Sequence, residues 1–262
     1  MPVDCSPPAP SDADVFLRPR PPRSPAWVAM YHSVDDPSDD PYEITVAPDR
    51  LAAQLRWMRR RGLRGVSMEQ LLEACARGRE HNLVGLTFDD GYRDFIDHAL
   101  PLLQQHDCTA TVFVLPGRLD GDNAWDPLGP RKPLLDAEGI RHVAECGMEV
   151  ASHGLTHVDL TTVDDGLLRR EVGDSRAALS DLTGSEVRGF CYPYGHVDER
   201  VASAVRETGY GYACAIWPGP LAGPYALPRV HIGQGDTNLR LRVKMSANRL
   251  RRRTLARSAV TR

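Results

Sequence analysis

Between Trp27 and Ile232, short apolar runs alternate with amphipathic stretches, and the reactive residues sit where the runs end. This alternation constrains the fold most, because parallel strands need a crossover of a dozen or more residues between them, usually a helix. The pattern predicts strands at 27–34, 83–88, 109–115, 149–152, 190–192, 212–216 and 226–232. Pro48 opens a helix with Leu51, Leu55 and Met58 on one face, ended by Gly62. Ser67-Met68-Glu69-Gln70 is a capping box for a helix to Ala76. Further helices are expected over 93–105, broken near Pro101, over 135–146 and over 198–208; another, capped by Asp164, is stopped by Gly184. Roughly six to eight such units with chemistry at the strand ends point to an α/β fold, a (β/α) barrel whose site lies at the C-terminal mouth of the strands. Residues 116–134, which include Trp125, read as a loop over that mouth.

Three strand ends carry the candidate chemistry. Leu86-Thr87-Phe88-Asp89-Asp90-Gly91-Tyr92 places two adjacent carboxylates where a run meets a glycine. Ala151-Ser152-His153-Gly154-Leu155-Thr156-His157 places two imidazoles four residues apart, and Phe190-Cys191-Tyr192-Pro193-Tyr194-Gly195 follows at a third end. Two His and one Asp make a three-ligand set suited to zinc with a position open for water, and the second Asp stands where a general base is needed. Each piece has a plainer reading alone: Asp-Asp-Gly as a turn, two His as a surface coincidence. Their recurrence at successive strand ends favours a site.

These motifs resemble those of the polysaccharide deacetylases, the NodB-homology domain of carbohydrate esterase family 4. The resemblance runs from about Trp27 to His231 and includes an opening Met30-Tyr31-His32-Ser33 segment. It implies an irregular, usually seven-stranded barrel and removal of N-acetyl groups from an amino sugar unit, with release of acetate. It also implies a metal held by Asp90, His153 and His157, zinc first, although other divalent transition metals suit such donors. Asp89 matches the position of the family's catalytic base. The backbone N–H of Tyr194 matches its oxyanion donor, with Pro193 fixing the turn.

One departure is plain. Many members carry Arg three residues before that Tyr, held against the catalytic Asp, whereas this chain has Cys191. Arg229, in Leu227-Pro228-Arg229-Val230-His231, is the candidate replacement from a neighbouring strand. His231 is the candidate general acid, or else a satisfied core or surface histidine. His32 either lines the groove and orients a ligand or is simply buried and hydrogen-bonded. Trp125 and Tyr194 have apolar faces on which a sugar ring could stack; loop packing is the alternative for Trp125.

Composition sets the limits. At 262 residues, 42% hydrophobic and 26% charged, the chain has the make-up of a soluble globular protein with a sizeable core. Six scattered Cys without CxxC spacing read as reduced, buried side chains. No run approaches the roughly 18 apolar residues of a membrane span, and no apolar signal-peptide core is seen, so a cytoplasmic address is expected. The chain divides into a disordered Pro-rich leader (1–25), the barrel domain (26–239) and a basic C-terminal tail (240–262). The formal net charge of −3 is uneven: residues 240–262 carry eight Arg, one Lys and no acidic residue, so the remaining 239 residues carry a net −12. The tail admits three explanations: a solvated disordered end, attraction to anionic lipid or a phosphorylated carrier, and unspecific nucleic-acid contact. The expected partner is an N-acetylated carbohydrate, with no specific nucleic acid and only weak anionic-surface contact through the tail. Two other functions stay open: a metal-dependent amidase on a non-sugar linear amide, and an inactive glycan-binding module.

Overall fold

The computed structural model describes residues 27–216, 221 and 223–258. The expected leader (1–25) lies outside the described residues. In chain order the elements are β1 (Val28–Tyr31), α1 (Pro48–Arg59), β2 (Arg64–Val66), α2 (Met68–Ala76), β3 (Leu83–Phe88), α3 (Leu100–Gln105), β4 (Thr111–Val114) and α4 (Ala137–Glu145), then β5 (Glu149–Ser152), α5 (Asp165–Thr183), β6 (Gly189–Cys191), α6 (Glu199–Glu207), β7 (Tyr212–Ala215), β8 (Leu227–Pro228), β9 (Val230–His231) and α7 (Asn238–Ser258). Local chemistry sets the boundaries. Asp136, Asp164 and Asp198 each accept the backbone N–H three residues on, satisfying a donor left free at the start of α4, α5 and α6. Gly184, at φ 66°, ends α5 in the left-handed conformation. The break expected near Pro101 is a π-helical turn, Phe95–Ala99, running directly into α3.

Every strand pairing is parallel, in the order β8-β7-β6-β5-β4-β3-β1-β9, which gives a nearly closed (β/α) barrel. The count differs from the seven strands expected, for two reasons. The last run, 226–232, is interrupted at Arg229: its first half pairs with β7 and its second half with β1, so one stretch of chain closes the barrel as two short strands. β2, which the sequence reading did not identify, pairs with β3 off this path, against the N-terminal half of that strand. Three residues with a glycine in the middle are too short and weakly patterned to announce a strand.

Period-two alternation divides the side chains between two apolar layers. Val28, Phe113, Ala151, Cys191, Tyr212, Cys214 and Leu227 form the barrel interior with Val66, Met68 and Leu71. Their neighbours, among them Ala29, Leu86, Phe88, Val112, Val114, Phe190 and Ala213, face the helices in the larger core. Low in the barrel the carboxylate of Glu149 accepts from Glu69 N–H, Thr111 Oγ1 and Tyr212 Oη, so this half-buried polar group is satisfied.

The C-terminal region departs from expectation. Its described part is helical rather than disordered: α7 begins at Asn238, inside the span assigned to the barrel domain, and continues to Ser258. Leu241 is fully buried and Met245 packs on the core, which anchors its first turns. Among the described residues no helix is long and apolar enough to cross a membrane.

Two glycines separate backbone strain from steric fit. Gly62 (φ 67°) and Gly91 (φ 70°) are both left-handed, but a Cβ on Gly62 would meet open space, whereas one on Gly91 would lie 2.9 Å from Val114 Cγ1. Gly62→Ala should lose about 1–2 kcal/mol of unfolding free energy. Gly91→Ala should lose a further 1–3 kcal/mol or about that, because Val114 must move. Equal midpoints in urea for the two variants would refute the packing argument.

Candidate active site

The inward parity of each strand runs one residue past its end. In β3, Phe88 faces the helices, so the next residue, Asp89, returns to the interior; the same count brings His32 inward after β1 and His153 inward after β5. Asp90 should then point away from the barrel. It does not, because Asp90 (φ 71°) and Gly91 (φ 70°) are both left-handed and turn the second carboxylate back to the same mouth.

Asp89 is 3% exposed and is held by a guanidinium that is buried as well. Arg229 Nη1 lies 2.5 Å from Oδ1 and Nη2 lies 2.7 Å from Oδ2, a two-pronged ion pair. Nη1 also donates to Thr87 Oγ1 (3.1 Å) and Nη2 to Cys191 Sγ (2.9 Å). Arg229 therefore reaches Asp89 across the space beside Cys191. Burial alone would push the Asp89 carboxyl up, but Arg229 outweighs it and holds the group below the usual carboxylate range.

Asp90, His153 and His157 bring one ligand atom each into a single cluster, all three residues buried. Asp90 Oδ1 is 3.2 Å from His153 Nε2 and 3.4 Å from His157 Nε2, and it accepts no hydrogen bond from either. His153 Nδ1 lies 2.9 Å from the carbonyl oxygen of Cys191, which can only accept. Nδ1 therefore carries the hydrogen and Nε2 turns its lone pair to Asp90. A carboxylate oxygen and an imidazole lone pair facing each other away from water, with His157 Nε2 beside them, form a donor set that fits a divalent metal. A second group, Asp89, His153 and Cys191, is also close enough to be considered. It is a poor set: Arg229 occupies both Asp89 oxygens, and burial pushes the Cys191 thiol well up, away from the thiolate a metal needs.

The segment carrying the two histidines is clamped from both sides. Glu171, on α5 and 1% exposed, accepts the N–H groups of Leu155 (2.8 Å) and Thr156 (2.9 Å) on one oxygen and the Thr156 hydroxyl on the other. Ser175, one turn on, accepts from Ser152 Oγ (2.8 Å). On the other side Gly117 N–H donates to the Leu155 carbonyl (2.9 Å), and a Cβ on Gly117 would stand 2.6 Å from that oxygen. His157 itself is left-handed (φ 67°), so this clamp holds it in a disfavoured conformation. The sequence reading missed Glu171. Its signal was present: Leu168, Glu171, Val172, Ser175 and Leu179 form the buried stripe of α5, and two polar residues on such a stripe require partners.

Two aromatic rings flank His157. Trp125 stacks on it with centroids 4.3 Å apart, and Tyr194 meets it edge-on at 4.6 Å. Trp125 thus has one face taken by a candidate ligand, while Tyr194 is 45% exposed. Pro193 is buried and opens the short turn Pro193–Gly195, in which Tyr194 is left-handed (φ 60°). The loop bearing Trp125 is tied down by buried Lys132, which donates to Ser33 Oγ (2.9 Å) and Asp35 Oδ2 (3.2 Å). Asp126 beside Trp125 is half-buried, and burial, then the nearby Asp90 charge, pushes its carboxyl up to about 6. His32 Nε2 lies 3.8 Å from Asp89 Oδ2, and the His32 and His231 rings are 6.2 Å apart. Burial first, then His32 and Lys244, lowers His231 to about 4, so its resting imidazole is neutral at neutral pH. The structure thus gathers the ten predicted residues around one strand-end mouth, with His231 set behind His32.

Fold and site together define a (β/α)-barrel hydrolase with a carboxylate–imidazole centre at its mouth. The chain belongs to the polysaccharide deacetylase family, whose model matches residues 76–213; the family comprises hydrolases acting on carbon–nitrogen bonds in carbohydrates. It is 25% identical over 213 residues to YxkH of Bacillus subtilis (strain 168), provisionally named a polysaccharide deacetylase, covering 79% of this chain and 71% of that protein. It is 35% identical over 153 residues to the poly-beta-1,6-N-acetyl-D-glucosamine N-deacetylase of Escherichia coli (strain K12), covering 55% of this chain but only 23% of that larger protein. Among solved structures, the deacetylase PplD of Streptococcus pyogenes, in complex with acetate, superposes with a TM-score of 0.72 at 24% identity, covering 84% of this chain and 97% of that one. At that identity the likeness is one of fold.

Breaking the buried pair tests its weight. Arg229→Met should lower the unfolding free energy of metal-free protein by about 3–5 kcal/mol at neutral pH, since an uncompensated charge stays buried. In the parent the depressed carboxyl contributes stability above its unfolded value, and that contribution is lost as pH falls. The gap between parent and variant should therefore narrow in acid; a gap independent of pH in urea titrations would contradict the assignment. For the clamp, Glu171→Ala should weaken cobalt binding about 10–100-fold by absorbance titration, with the barrel still folded by circular dichroism. Unchanged affinity would show that the segment holds its shape without Glu171.

Proposed function

We propose that this chain is a metal-dependent N-deacetylase that removes acetyl groups from an amino sugar unit of an oligosaccharide, a polysaccharide precursor or a glycosylated metabolite, releasing acetate. The observation that carries this reading is the division of labour between consecutive carboxylates: Asp90 faces two imidazoles, and Asp89 faces a guanidinium. The names of matched proteins agree with it. Besides the E. coli relative, a Staphylococcus epidermidis poly-beta-1,6-N-acetyl-D-glucosamine N-deacetylase matches over 71% of this chain at 22% identity. Chitin deacetylase 1 of Cryptococcus neoformans matches over half of it at 26%.

Asp90, His153 and His157 would hold zinc or another divalent transition ion, which supplies Lewis acidity and a readily deprotonated water. Asp89 is the base: its oxygens are fixed by Arg229 and it is ionised at neutral pH, as a proton acceptor must be. The Tyr194 N–H is the donor to the developing oxyanion; the turn around it is closed instead by the N–H groups of Gly195 and His196, onto Tyr192 and Pro193. The exposed Tyr194 ring offers a face to a sugar, with Trp125 and His32 shaping the groove. His231 is the donor to the leaving nitrogen, with the condition that it gains a proton during the reaction, since it is neutral at rest. Against the alternative of an inactive glycan-binding module stands the Arg229 guanidinium, which lies against Asp89 and Cys191 Sγ where Cys191 itself brings no charge.

Zinc-loaded protein should release acetate from some member of a panel of N-acetylated sugars, short chitooligosaccharides and nucleotide sugars. Asp89→Asn should slow release by about 10²–10⁴-fold. A chelator should abolish it and added metal restore it. Release that survives Asp89→Asn would remove Asp89 as base, and no release from any sugar would favour a non-sugar amide.

A further inference from the structure

Helix α7 presents two apolar rows on opposite sides. One is spent on the barrel: Leu241 is fully buried, Met245 packs on the core, and Lys244 between them donates to the His231 carbonyl (2.7 Å) and to Asp236 Oδ2 (2.5 Å). The other row faces water. Leu239 and Val243, one turn apart, are 68% and 61% exposed, two of the four large hydrophobic side chains exposed among the described residues. In the sequence the same spacing continues to Leu250, eleven residues after Leu239. At a helical turn of about 100° per residue these three positions fall within roughly 40° of one another. Arg240 and Arg242, next to the row, are exposed as well. From 238 to 258 the sequence has eight basic residues and no acidic one.

We propose that α7 is an interfacial helix that seats the protein on an anionic lipid surface. Leu239 and Val243 enter the boundary between headgroups and acyl chains, and the arginines beside them engage headgroup phosphates. Two features select this occupant. Residues 240–262 carry nine positive charges and no negative one while the other 239 residues carry a net −12, so an anionic surface attracts this end of the molecule and, on balance, repels the rest. A nucleic acid would account for the arginines but gives the exposed Leu239 and Val243 nothing to do. The inference stands apart from the deacetylase reading, because the residues it uses lie on the outer side of α7.

The test is co-sedimentation of the full chain with vesicles of phosphatidylcholine alone or with about 30% phosphatidylglycerol, at about 0.1 M and about 0.5 M salt. Binding should require the anionic lipid and weaken with salt. The double variant Leu239→Ser/Val243→Ser should lower the partition coefficient at least about tenfold, and Arg240→Gln/Arg242→Gln should lower it as well. Circular dichroism of both variants checks that the barrel is intact. Absence of binding to anionic vesicles would overturn the proposal. So would binding indifferent to the Leu239/Val243 change, or duplex DNA that displaces the vesicles and binds that double variant as well as the parent; the last outcome would assign α7 to nucleic acid.

Discussion

Asp89 and Arg229 are both removed from water, and neither charge is tolerable there without the other. Taking an isolated ion out of solvent costs several kcal/mol even after relaxation, and only a well-placed partner offsets that. The pair also sits where the barrel closes. Arg229 is the single residue between β8 and β9, with β7 paired on one side and β1 on the other. Its backbone N–H bonds to Ala215, and its side chain crosses the interior to the end of β3. Charge pairing and ring closure are thus one event in this fold. The small side chain of Cys191 makes the route available, and its sulfur accepts the guanidinium on the way.

The rest of the site departs from regular strand geometry at a few chosen points. Asp90, His157 and Tyr194 are three of the six non-glycine residues with positive φ among the described residues, and all three stand at the mouth. Each such conformation is disfavoured by about 1–2 kcal/mol. They persist because the surroundings over-determine them: Val114 closes over Gly91, Glu171 and Gly117 grip the segment before His157, and buried Pro193 leads into Tyr194. The left-handed pair Asp90 and Gly91 is what allows adjacent carboxylates, which a regular strand would send to opposite faces, to serve a single centre.

Much of this was legible beforehand because it is written in local patterns. Alternating runs mark strands and helices, and Asp-Asp-Gly and His-x-x-x-His stand at strand ends, so the barrel and the groups at its mouth could be read in sequence. Arg229 could be named because a missing charge beside Asp89 had to be sought elsewhere. The break of the last strand at Arg229 could not, because it arises from closure, which is a property of the ring and not of any local window. Glu171 was hidden because its partners are backbone N–H groups of another segment, which have no sequence signature. The helicity of 238–258 was masked by charge: a run of arginines suggests a solvated end, yet Leu241 and Met245 dock on the core, and the opposing row of Leu239 and Val243 blurs the amphipathic signal.

The electrostatics bear on where a proton travels in the proposed reaction. Arg229 makes Asp89 a weak base by holding it below its usual range, and burial, then the nearby His32 and Lys244, holds His231 near 4. Neither group carries a proton at rest near neutral pH, so neither is a ready-made acid for the departing nitrogen. The proton that nitrogen receives is then the one taken from water in the first step. A proton on Asp89 weakens its attraction to Arg229, and this lost attraction makes its transfer onward favourable. A strongly basic carboxylate would take the proton more readily but surrender it less so. Seen this way, Arg229 does more than orient Asp89: it keeps the carboxylate a temporary carrier of the proton.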